Sequence, residues 1–171
     1  MRETVLRLII ITVVSVTFYI LGSLAVEEIY SKNNLVAGAW SNKPLVVICP
    51  ESEIPIATVL NAIAYWEMKG FKTDHYIVDY ENYICNQSFP VGFILIRDQG
   101  EMPVDSIGVT RRMIVAGNVL SAEIIIPNRE VRVPLILEHE LGHALGLNHV
   151  NIPGHIMNPY IDHAGKNFWI P

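Results

Sequence analysis

His139 and His143 are four residues apart, and on a helix that spacing puts both imidazoles on one face, close enough to grip a single ion. Glu140 stands one position round, where its carboxylate can reach a water beside that ion without becoming a ligand. Gly146, three residues after His143, offers a position that can take positive φ, end the helix and turn the chain back. His149 can then return as a third ligand. Three neutral imidazoles leave a zinc ion its double charge and one open position, the arrangement that brings the pKa of water there to about 7. HExxH alone arises by chance on ordinary helices, but the added glycine and third histidine make coincidence about a thousandfold rarer.

The stretch HELGHALGLNH, residues 139–149, fits the metzincin signature HExxHxxGxxH and resembles its matrixin version. The residues after it, VNIPGHIMNP at 150–159, resemble the matrixin Met-turn, with Pro153 four and Met157 eight residues beyond His149. The resemblance implies a zinc-dependent endopeptidase acting on peptide or protein substrates. His139, His143 and His149 would hold one catalytic Zn2+, Glu140 would serve as general base, and Met157 would be the apolar floor beneath the metal. The chain also departs from the family. It shows no counterpart of the histidine and aspartate set for a second, structural zinc, and no glycine-aspartate loop for calcium. With 14 residues after Met157, the long C-terminal helix of matrixins looks truncated or missing. Tyr160 is off the spacing of the matrixin and astacin tyrosines and reads as a surface or pocket-wall residue, while His155 and His163 read as surface histidines.

The elements that must position this site follow from pattern. Lys43–Cys49 reads as a buried first strand. A helix follows, with Ser52 as candidate N-cap, Pro55 in its first turn, an apolar stripe from Ile56 to Trp66 and Gly70 at its end. His75–Val78 and Val91–Arg97 read as the second and third strands, and Val109–Ala116 with Val119–Ile126 as a hairpin turning at Gly117-Asn118. Pro134 suits the first turn of the metal-binding helix, which is therefore expected to start near Val133. The order predicts an α+β fold, a mixed α/β domain with two long helices and the zinc site on the second. The resemblance implies a metzincin-like twisted, mixed five-stranded sheet with its fourth strand antiparallel at the edge. That edge, residues 109–116, offers backbone groups to which an extended peptide can add, and Arg111 and Arg112 would keep it soluble, bind substrate, or both.

Residues 8–26 carry no charge, follow Arg2 and Arg7, and precede Glu27 and Glu28. Such a run is long enough to cross a bilayer as an anchor, and its small residues near Ala25 also suit a cleaved signal peptide. The expected organisation is thus an anchor or signal at 1–26, a linker at 27–42, too short for an inhibitory prodomain, and a peptidase domain at 43–171. Either reading exports the domain, as a single-pass membrane protein or a secreted one. A net charge of −5 without a basic run excludes nucleic acid as a partner, and a monomer is expected. Cys49 and Cys85 could pair in an oxidising compartment or remain two half-buried thiols. The competing reading is a catalytically silent, exported zinc-binding domain.

Overall fold

Valine and isoleucine run unbroken through the central strands because both faces of those strands are covered. In the computed structural model, which describes residues 35–170, β1 is Ala39–Trp40 and β2 is Leu45–Ile48. Helix α1 spans Ile56–Met68, followed by β3 (Tyr76–Val78), β4 (Phe93–Arg97), β5 (Val109–Val115) and β6 (Asn118–Ile125). Helix α2 is Ile136–Ala144, and short 3-10 turns occupy Asn128–Glu130 and Ile161–His163. The mixed α/β architecture with one sheet and two helices is as expected. Residues 35–169 form one compact unit. The apolar run at 8–26 lies outside the described residues.

The strands follow the order β1-β6-β4-β2-β3, all paired in parallel, and β5 pairs antiparallel with the other edge of β6. Alternation along the strands divides the core. Val46, Ile48, Ile94, Ile96, Ala122 and Ile124 face the two helices. Val47 and Leu95 face the opposite way, onto Cys49 and Cys85, which are joined in a disulfide. That bridge ties the loop after β3 onto the sheet. Asp79 holds the same loop by accepting from the backbone N–H groups of Tyr83, Ile84 and Cys85. Trp66 of α1, 1 % exposed, donates its indole N–H to the carbonyl of Glu138 at 2.7 Å, fixing one helix against the other.

Several expectations are corrected. The sheet has six strands among the described residues, not five, because β1 lies in the stretch expected to be linker. Within residues 27–42, the described part from Leu35 onward packs on the domain. The Leu35 carbonyl accepts from Asn148 N–H, Ala37 N–H donates to Gly146 O, and the Trp40 indole donates to Ala144 O. Two strand residues are too few to show a period. Ser52 does not cap α1: its hydroxyl accepts from Ile54 N–H at 3.4 Å, and the helix begins after extended Pro55. Helix α2 starts at Ile136, not near Val133, because Leu135 takes left-handed φ of 67° and leaves Pro134 outside the helix. It is accordingly nine residues rather than long. The hairpin turns at Ala116 and Gly117, both at positive φ, since Val115 already pairs with Asn118.

Gly146 ends the turn after α2 at φ of 106°, and a Cβ there would collide with the backbone carbonyl of Gly38. Gly146→Ala should therefore lower stability by about 2 kcal/mol or more, read from the urea midpoint of the full chain. A midpoint equal to wild type would mean that the strip at 35–40 can move away at no cost.

Candidate metal centre

His139 and His143 both belong to α2, and their rings stand edge to face with centroids 4.7 Å apart. After Gly146 the chain reverses, and His149 brings its Nε2 to 3.1 Å from that of His139 and 3.0 Å from that of His143. The His139 and His143 Nε2 atoms are 3.1 Å apart. The other ring nitrogens define the proton positions. His139 Nδ1 lies 2.8 Å from Ile156 O and His143 Nδ1 2.8 Å from Leu147 O; a carbonyl only accepts, so each Nδ1 carries the proton and donates. The Nε2 lone pairs of these two residues therefore face each other and His149. Those two lone pairs repel unless a positive group lies between them, and tetrahedral zinc bonds of about 2.0–2.1 Å to all three Nε2 atoms require donors about 3.3 Å apart. The residues present fit the ion.

Burial reinforces this protonation state. His139, 6 % exposed, is pushed down to about 4 mainly by desolvation, against its bond to Ile156 O. His143 is pushed down to about 3 by burial and then by His139, and His149 is lowered by burial and by Arg112. The imidazoles thus stay neutral through the physiological range, as metal ligands must. Glu140, 5 % exposed beside them, is raised to about 7 by burial, partly countered by a hydrogen bond from Thr110.

Met157 is fully buried against α2, and Gly142 makes the approach possible: a Cβ there would lie 2.5 Å from both the Met157 sulfur and the Trp66 ring. His155 was expected on the surface and is instead wholly buried. Its Nδ1 accepts the Met157 backbone N–H at 3.0 Å, and its Nε2 donates to Trp169 O at 3.0 Å. Next to it, Ile156 N–H donates to Asn167 O at 2.8 Å. Tyr160 is 62 % exposed, with its ring near His163 rather than in the cleft.

A cleft of about 470 Å³ opens over the three histidines, with Gly108, Thr110 and Arg112 on one wall and Asn158, Pro159 and Ile161 on the other. Thr110 is not singled out by the sequence, and Arg112 only as a residue of the edge strand. Thr110 Oγ1 lies 2.6 Å from Glu140 Oε2 and 2.9 Å from the Glu140 carbonyl. Arg112, expected to keep the edge soluble, bind substrate, or both, turns inward and donates to His143 O, Leu147 O and Asn148 Oδ1 at 3.0, 2.9 and 3.0 Å. Arg111 turns outward to Glu101. Strand alternation, which puts 108, 110 and 112 on one face, was the available signal.

The matrixin model of peptidase family M10 matches residues 51–170. The chain belongs to the matrixin family. Among curated proteins, none matches it. Matrixin domains bind zinc, and in this one His139, His143 and His149 form the triad placed to hold it.

Removing the metal should expose the linkage of these groups to pH. The folded-state values of His139 and His143 lie below the ordinary 6.5, so between pH 6.5 and 4 the unfolded chain binds protons that the folded site refuses. Stability therefore falls as pH falls through that window. Glu140, raised to about 7 from 4.5, acts oppositely, because the folded state holds its proton where the unfolded state has lost it. With two imidazoles against one carboxylate, the chelated chain should unfold at lower urea at pH 5 than at pH 6.5. An equal or higher midpoint at pH 5 would contradict this.

His155→Ala should destabilise by about 1–3 kcal/mol, since it orphans the buried Met157 N–H, and differential scanning calorimetry of the zinc-loaded chain is the check.

Proposed function

We propose that the chain is a zinc-dependent endopeptidase in which Glu140 is the general base. The observation that carries this reading is the position of Glu140: buried, one residue from a ligand, facing the cleft, and held by Thr110 rather than by any cation among the described residues. Zinc, when bound by the three imidazoles, supplies the positive charge that acidifies water and polarises a scissile carbonyl. The protein's own groups do the rest. Glu140 takes a proton from the attacking water and returns it to the departing amine. Its raised affinity for protons suits this exchange near neutral pH. Thr110 keeps the carboxylate from swinging away, and the buried surroundings exclude competing water.

Substrate, in this reading, is an extended peptide lying along the outer edge of β5, residues 109–116, whose other edge is taken by β6. Catalysis needs one zinc, and the enzyme acts as a monomer. The arginines before the uncharged run at 8–26 favour an exported domain, anchored through that run or released after its cleavage, and the Cys49–Cys85 disulfide suits an oxidising compartment.

Two substitutions in the full chain separate this mechanism from a silent zinc-binding domain. Glu140→Ala should keep zinc, because no ligand is lost, while hydrolysis falls about 10²- to 10⁴-fold. His143→Ala should lose both zinc and activity. Zinc content and cleavage of a peptide library are the measurements; a wild-type chain that loads zinc and cleaves nothing, or a Glu140→Ala chain as fast as wild type, would defeat the mechanism.

A further inference from the structure

The cleft wall formed by β5 carries a guanidinium that no carboxylate among the described residues neutralises. Arg112 is half-buried and lines the cleft beside His149 and Asn148. Three of its hydrogen bonds go to neutral groups, the carbonyls of His143 and Leu147 and the amide of Asn148. Among the described residues no carboxylate lies within ion-pair distance of it, whereas Arg111 and Arg129 each have one and Arg97 has two. A planar fork held by three bonds is already oriented, so little conformational entropy remains to be lost when it meets an anion. Desolvation without a counter-charge is costly, and a carboxylate arriving from solvent relieves that cost.

The geometry points to Arg112 as the specificity determinant of a subsite for an acidic side chain, aspartate or glutamate, in the bound peptide. This rests on the peptidase reading given above. The register follows from the strand. Thr110 touches Glu140, and Arg112 lies two residues further along the same face, about 7 Å away for an extended chain. A peptide paired with β5 therefore presents its acidic residue about two positions from the bond beside Glu140. Asp105 and Glu140, the other charged groups lining the cleft with Arg112, are both acidic. They disfavour an acidic residue elsewhere along it.

The test uses the full chain carrying Glu140→Ala and loaded with zinc, so that binding is read without turnover. Positional libraries of fluorescent peptides, each pairing an acid with its amide, are titrated by anisotropy. At one position near the centre, the acidic peptides should bind about tenfold or more tighter than their amide partners, with the ratio shrinking as salt rises. Adding Arg112→Met should bring the ratio at that position to about one, and Arg112→Lys should retain part of it. Should Arg112→Met fail to hold zinc, the lysine variant and the salt dependence still decide. Equal affinity for acid and amide at every position, or a preference that survives Arg112→Met, overturns the assignment. Failure of wild type to cleave any library member defeats the peptidase reading instead, and is distinguishable because binding is measured separately.

Discussion

Much of this structure exists to keep unprotonated ring nitrogens pointed at one another, an arrangement that electrostatics alone would disperse. The two helical histidines are held in that state from behind, by carbonyls that demand the Nδ1 proton, and from all sides by burial that refuses a second one. Each restraint needs its own scaffold. The carbonyl of Leu147 reaches His143 only because the chain turns sharply at Gly146, and that of Ile156 reaches His139 only because the following turn is packed under α2. The sheet, in turn, supplies the rigid floor against which α2 is pressed.

The same sheet separates two different tasks. Its helix-facing side chains carry the packing that fixes the metal site, while Val47 and Leu95 on the other face pack with the disulfide-tied loop and with Leu45, Ile77 and Phe93 of the strands. The edge strand belongs to the first task. Thr110 and Arg112 reach from it to Glu140 and to the turn between α2 and His149.

The metal site was legible in the sequence because its spacing is a property of the helix: four residues between ligands mean one face, wherever the helix lies. The core strands were legible for a similar reason, since burial on both faces leaves an unbroken apolar run. Element ends were less so. Leu135 in a left-handed conformation shortens α2, and nothing in the type of a leucine announces positive φ. Residues 35–40 read as linker because what holds them, the buried Leu35, the Trp40 indole and backbone hydrogen bonds, is spread over too few residues to show a period. His155 was misjudged because one histidine in a loop has no period, and its burial depends on an aromatic and strand contact from residues 167–169 that pattern does not reveal.

That last contact gives the C-terminal segment a role in the first ligand's geometry. The peptide unit at Ile156 is gripped at both ends, its N–H by Asn167 and its carbonyl by the His139 ring. One residue therefore transmits the position of a peripheral strap to the innermost imidazole, with His155 clamping the neighbouring unit against Trp169. The strap works as a guy-line: residue 167, far from any ligand in sequence, holds the very residue whose carbonyl orients the His139 ring.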